Sequence, residues 1–255
     1  WMSDDCPPLI AIKILHPCPY YDDSYAVNSP NVGPYDDAIA QELIPLLEEK
    51  FRIISQPYAR ILSGGSTGGW IALAQQIFHP DFYGGVFSLC ADPVDFHYYQ
   101  IVDIYKDKNA YYRENEWFRV ERPNTRSTDG NIRTTMANEN LYELVVGDKN
   151  RSGGQWDIWE AAYSPIGPDG YPMRVWDKRT GEINHAVAEQ WKNYDLHEYL
   201  KNNWSVIGND LKGKLFLYTG DMDSFYLNNA MELLEGFLKE TKDPYFDGHI
   251  EYGRK

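Results

Sequence analysis

Gly64-Gly65-Ser66-Thr67-Gly68 stands between a short apolar run and a helical pattern, and no other feature constrains the chain as much. Ala59-Arg60-Ile61-Leu62-Ser63 reads as a short buried strand. Gly69 to Phe78 reads as a helix, with Trp70, Leu73 or Ala74, and Ile77 recurring on one face. Ser66 is therefore expected on the turn from strand to helix. A G-x-S-x-G in that context makes a strained elbow that lifts the serine oxygen above the end of a sheet, because small neighbours tolerate the turn. The helix N-terminus that follows offers free backbone N–H groups to a developing oxyanion. Two blander readings compete: a serine that only caps the helix, and a loop that cradles phosphate. The phosphate loop needs Lys and then Ser or Thr after its last glycine, and Gly69-Trp70 stands there instead. Strand before and helix after favour a nucleophilic serine.

The flanking patterns extend the picture to a layered α/β fold. Leu9 to Leu15 reads as a strand buried on both faces, the kind found in parallel sheets. A polar and aromatic loop, 16–35, follows it. Asp36 to Lys50 carries Ile39, Leu43 and Leu46-Leu47 at helical spacing, with Pro45 expected to kink or shorten that helix. Gly84 to Cys90 and Lys214 to Thr219 read as further strands, and His249 to Tyr252 as the last. After Gly220, the residues Leu227, Ala230, Met231, Leu234 and Phe237-Leu238 trace one face of an amphipathic helix. Alternating strands and helices imply a mostly parallel sheet covered by helices on both faces. Pro93 to Gly213, about 120 residues without strand periodicity, is too long for an ordinary loop. The expected organisation is a core of residues 1–92 and 214–255 carrying an aromatic-rich cap at 93–213.

Composition narrows the partners. The net charge is −14 and the isoelectric point near 4.8, so nucleic acid and anionic membrane surfaces would be repelled. No apolar run is long enough to span a bilayer. Cys6, Cys18 and Cys90 are too few and scattered for a disulfide framework or a zinc site, although a Cys6–Cys18 bridge stays open. Aromatic residues make up 15% of the chain, which suits a secreted or periplasmic protein handling sugars or aromatic esters. Trp117, Trp156, Trp159, Trp176, Trp191 and Trp204 all fall in the cap. Flat aromatic faces stack on sugar or aryl rings, but they serve equally as the core of the cap itself.

In open parallel sheets the chemistry gathers beyond the carboxyl ends of the strands. Asp221 and Asp223 follow the strand at 214–219 directly, and a carboxylate there can orient a histidine and stabilise its imidazolium. The alternative is that they cap the helix that follows.

Together these residues resemble the esterase-D-like group of α/β-hydrolases, the putative esterases. The resemblance lies in Pro7 to Ile12, Glu42-Leu43-Ile44-Pro45, the elbow Gly65-Ser66-Thr67-Gly68-Gly69, His79 to Ser88, and Gly220-Asp221-Met222-Asp223-Ser224-Phe225. It implies an α/β-hydrolase fold and a serine hydrolase of carboxylic esters, with no cofactor and no metal. Ser66 would be the nucleophile, Asp223 rather than Asp221 the triad acid, and the Thr67 backbone N–H an oxyanion donor. The aromatic cap adds carbohydrate or hydroxycinnamoyl esters as the expected substrates, small molecules that could be glycan-linked. Two rivals remain: an acyltransferase with the same triad, and a non-catalytic glycan-binding module on a hydrolase scaffold.

The chain departs from that family in two places. The strands that precede the position of Leu9 in the family, one of which lies beside the elbow strand and carries an oxyanion donor, have no counterpart here. The family's catalytic histidine follows its last strand, whereas His249 begins that strand. The expectation is a chain that is part of a longer protein, with strands before Trp1 and the histidine after Lys255; His249 is the lesser candidate. His79 is expected to end the helix after the elbow. His16 could line the cleft or anchor its loop. His97, His185 and His197 lack zinc spacing. Asp148 to Gly153 imitates the start of a calcium loop, but Trp159 occupies the position of the bidentate Glu, so a polar turn is expected.

Overall fold

The structure, a computed structural model, describes residues 9–253. Four short runs pair in parallel into one sheet: β1 (Ile61–Gly65), β2 (Gly85–Leu89), β3 (Leu215–Gly220) and β4 (His249–Gly253). They lie in the order β4-β3-β2-β1, which places β1 at an edge. Register decides which side chains share a face. Leu62 opposes Val86, Val86 opposes Leu215, and Leu217 opposes both Ser88 and Ile250. Side chains alternate along a strand, so Val86, Ser88, Leu215 and Leu217 point one way and Phe87, Leu89, Phe216 and Tyr218 the other.

After β1 the described helices are α1 (Thr67–Phe78), α2 (Met136–Val146), α3 (Gln155–Tyr163), α4 (His185–Trp191), α5 (Leu196–Ile207) and α6 (Leu227–Glu240). α1 packs on β1 and β2, α6 packs on β3, and α5 lies against both helices. The expected α/β architecture, a parallel sheet flanked by helices, is thus present. Trp70, Leu73 and Ile77 of α1 and Leu234 and Met231 of α6 are buried together with Val86, Leu215 and Leu217. Each such side chain contributes roughly 1.5–3 kcal/mol by leaving water. Ser88 Oγ donates to the Gly69 carbonyl at 2.8 Å and fixes the start of α1 against β2.

On the opposite face of the sheet Phe87, Leu89 and Tyr218 are 46%, 45% and 37% exposed, so among the described residues that face is only partly covered. Leu9–Leu15 corrects an expectation. The segment forms no strand, and Leu9, Ile10, Ile12 and Leu15 are exposed. Apolar residues supply side chains for a sheet, but a strand exists only where a neighbour completes its ladder, and the free edge of β1 is not paired with this segment. Cys6 and the Pro7-Pro8 pair fall outside the described residues, and the Cys6–Cys18 bridge does with them; Cys18 itself is buried.

Pro45 acts as expected but one turn upstream. The helix over 35–50 is α-helical at Tyr35–Asp37, π-helical at Ala38–Leu43 and α-helical again at Ile44–Lys50. A proline has no N–H to give the carbonyl four residues back and its ring collides with it, so the preceding turn widens.

Residues 93–213 contribute α2 to α5 and two short hairpins. Their core continues that of the sheet layer. Trp156, Trp159, Trp176 and Trp191 are buried, and ring contacts run from Trp156 and Trp159 through Tyr99 to Trp191 and Tyr163 and so to Trp70 of α1. α5 begins at an Asp195 cap whose side chain accepts the Glu198 N–H, and it completes the helical layer between α1 and α6. Five of the six tryptophans in residues 93–213 thus serve packing, while Trp117 is 87% exposed.

Candidate active site

The strand-to-helix turn is as tight as its residues require. Ser66 has φ 55° and ψ −125°, a left-handed backbone that costs a non-glycine residue on the order of 1–3 kcal/mol. Packing around it enforces this conformation. A Cβ on Gly64 would lie 2.1 Å from the Gly68 carbonyl oxygen, and one on Gly69 would lie 2.8 Å from that of Leu89. Ser66 N–H donates to Leu89 O at 2.9 Å, tying the elbow to the end of β2. Ser66 is exposed at the head of α1. Thr67 opens α1, so its N–H belongs to the first turn, whose donors have no partner inside the helix.

Asp92, two residues past Cys90, completes the immediate surroundings of Ser66. Ser66 Oγ donates to Asp92 Oδ1 at 3.3 Å. Thr67 Oγ1 donates to Asp92 Oδ2 at 3.0 Å, and Tyr25 OH makes a short hydrogen bond to the same oxygen. Tyr25 is itself held from α3, accepting from Trp159 Nε1 and from Gln155 Nε2, each at 2.6 Å. Asp92 is 5% exposed. Burial pushes its carboxyl above the usual carboxylate range, and the hydroxyl donors from Tyr25, Thr67 and Ser66 work against that rise.

The other expected site residues make their hydrogen bonds to different partners. Asp223 follows β3 at its carboxyl end, and its Oδ1 accepts the N–H groups of Phe225 at 2.8 Å and Leu227 at 3.1 Å, so it caps the entry to α6. Three of the histidines have partners elsewhere, and His185 begins α4. His16 pairs with Asp23 at 3.2 Å and anchors its loop. His79 is the C-cap of α1, and its Nε2 meets Asp36 at 2.8 Å. His249 lies on β4, across the sheet from the elbow strand, beside Glu251.

Asp95 gathers two more. Its Oδ1 meets His97 Nδ1 at 2.9 Å, and its Oδ2 makes a short contact with His197 Nδ1. Burial alone would raise this carboxyl, but the bonds from His197 and His97 hold it below its usual range. Asp95, His97 and Asp195 bring one ligand atom each within 4.8 Å of one another, the arrangement closest to a cation site among the described residues. All four carboxylate oxygens are already occupied, those of Asp195 by Glu198 N, Phe96 N and Tyr105 OH. The cluster therefore ties the 3-10 turn at Phe96–Tyr98 to α5. His97 also borders a cleft of about 510 Å³ shared with Arg122 and Tyr226. At 148–153 the calcium-like pattern is a turn: Arg151 pairs with Asp148, and Asn150 is buried against Glu160.

Sequence reasoning singled out Ser66 and Thr67 but missed Asp92 and Tyr25. For Asp92 a signal existed, an acid just beyond the carboxyl end of β2. For Tyr25 none did, since it lies 42 residues from Thr67 and meets it only through the fold.

The chain is similar to esterases among known proteins. Residues 19–143 match the family model described as putative esterase. No curated protein matches the chain. Among solved structures, a ferulic acid esterase is 15% identical with a TM-score of 0.43, over 91% of this chain and 58% of its own. The Staphylococcus aureus fluorophosphonate-binding serine hydrolase FphF is 14% identical with a TM-score of 0.44, over 91% of this chain and 61% of its own. The chain thus spans about three fifths of these structures, 58% and 61% of their length.

Proposed function

We propose that this chain, which matches the putative esterase family model over residues 19–143, is a serine hydrolase of carboxylic esters working through an acyl-enzyme on Ser66. The observation that carries this is the strained, exposed Ser66 at the head of α1. Ser66 Oγ adds to the ester carbonyl, and the oxyanion accepts from the Thr67 backbone N–H. The alcohol leaves, and water then hydrolyses the acyl-enzyme. Asp223 enters by position alone: a carboxylate at the carboxyl end of β3 can orient an imidazole through Oδ2 while Oδ1 keeps its capping bonds. Carbohydrate or hydroxycinnamoyl esters are the finer assignment, resting on the exposed face of Trp117.

Intact-protein mass spectrometry with a fluorophosphonate probe tests the reading. One adduct is expected on the wild-type chain and none on Ser66→Ala. A folded wild-type protein that takes no adduct would instead favour a non-catalytic binding module.

A further inference from the structure

The cleft of about 510 Å³ that His97 borders is built from segments following β2 and β3, and no residue of the elbow lines it. Its volume falls in the range of roughly 300–1,000 Å³ that small-molecule sites occupy. We propose that this cleft binds a neutral oligosaccharide, with the Tyr98 ring as the platform on which a sugar lies and Trp117 extending the surface from the neighbouring hairpin. The inference goes beyond the hydrolase reading and does not depend on it, since a chain with no esterase activity would bind through the same cleft.

The walls are held in place before any ligand arrives. One is the tight turn in which Tyr99 N–H donates to Val102 O at 2.8 Å, with Gln100 at φ 59°. A second is the entry to α6, where Tyr226 stands at φ 63° and the Arg126 guanidinium lies 4.3 Å from its ring centre. Asn229 Nδ2 donates to Gln100 O at 3.4 Å and joins the two walls. Left-handed backbone in non-glycine residues persists only where packing enforces it, and it gathers at ligand sites. The third wall is the hairpin of Tyr112–Glu114 and Arg119–Glu121, which contributes Arg113, Val120 and Glu121. Asn115 Oδ1 closes the turn of that hairpin by accepting the N–H groups of Trp117 at 2.8 Å and Phe118 at 3.0 Å. Trp117 is thus presented to solvent by a fixed turn rather than buried in a core.

The chemistry of the lining selects an uncharged, polar ligand. Arg122 spends its guanidinium on Asp107 at 2.7 Å and on the carbonyls of Ile101 and Tyr112. Asp103 spends Oδ1 on the N–H groups of Tyr105 and Lys106, and His97 turns Nδ1 to Asp95. Arg113 and Glu121, on the hairpin, carry opposite charges, so no excess of either sign is left to pair with an ion. Tyr98 is exposed, and Ile101, Val120 and Pro123 add apolar surface beside it. A sugar ring matches this mixture, because its C–H face lies on an aromatic ring while its hydroxyl edge bonds to amide, phenol and carboxylate groups.

The test is calorimetric titration of the full chain with xylotetraose, cellotetraose and maltotetraose, with tetragalacturonate as the charged comparator. At least one neutral tetrasaccharide should bind with a Kd below about 1 mM. Tyr98→Ala and Trp117→Ala should each raise that Kd about tenfold, the usual loss when an aromatic anchor is truncated. Tyr58→Ala, at an exposed ring before the start of β1, should leave it unchanged. Fluorophosphonate labelling of Ser66 should be the same in all three variants. Should Tyr98→Ala fail to fold, Trp117→Ala decides alone, because its side chain lies outside the core. Absence of binding by every neutral tetrasaccharide, tighter binding of tetragalacturonate, or an unmoved Kd in either cleft variant overturns the proposal. Wild-type protein that binds the sugar but takes no probe removes the hydrolase reading and leaves this one standing.

Discussion

Ser66 and its neighbours show how few atoms separate a tolerated turn from a forbidden one. Gly64 has no room for a side chain, because the Gly68 carbonyl oxygen would sit 2.1 Å from its Cβ, and the atoms it meets are all Gly68 backbone. Gly64→Ala should therefore destabilise the protein by roughly 1–3 kcal/mol and weaken probe labelling, as read by urea denaturation and intact mass. Gly68 meets nothing within 4 Å of its would-be Cβ, so the two outer glycines of the motif answer to different needs. The serine was legible because its motif is local. Asp92 and Tyr25 were not, because a buried acid is recognised by what surrounds it, and Tyr25 reaches Asp92 across 67 residues of chain.

Among the elements, long periodic patterns translated directly. The apolar stripe expected at Leu227, Ala230, Met231, Leu234 and Phe237-Leu238 is the inner face of α6, buried except at Phe237, which is half-buried against the same core. The elbow strand moved from 59–63 to Ile61–Gly65, because Pro57–Ala59 closes a 3-10 turn before extended backbone can begin. Asp223 links strand to helix through two backbone N–H groups, the function of an N-terminal cap. Asp223→Ala should cost about 0.5–2 kcal/mol of stability in a chemical melt, separately from any effect on turnover. A melt unchanged within error would remove the capping role and leave the residue with its proposed catalytic one.

At the scale of the molecule, a buried ionic group binds parts of residues 143–178 together. Lys178 Nζ reaches Glu143 at 2.6 Å and Asp157 at 3.0 Å, and Arg174 lies 3.8 Å from both Asp157 and Glu160. These residues join α2, α3 and the segment at 174–178. Burial pushes Glu160 up to about 7, with Lys178 and Arg174 working against the rise. A carboxyl raised in the folded state binds its proton more tightly there than in the unfolded chain. Its stabilising contribution is complete below the unfolded value near 4.5 and is lost as pH rises through about 7. Thermal melts should show stability declining across that window, and Glu160→Gln should flatten the decline; an identical slope in the variant would assign it to other groups. The sequence by itself determined the serine elbow, the parallel strands at the centre and the amphipathic helix α6, because each depends on neighbours a few residues away. Only the tertiary structure decided that Leu9–Leu15 stays outside the sheet, that the tryptophans of residues 156–191 share one core with α1, and that Asp92 faces Ser66. Those outcomes depend on ladder partners, burial and desolvation, which exist only after distant segments have met.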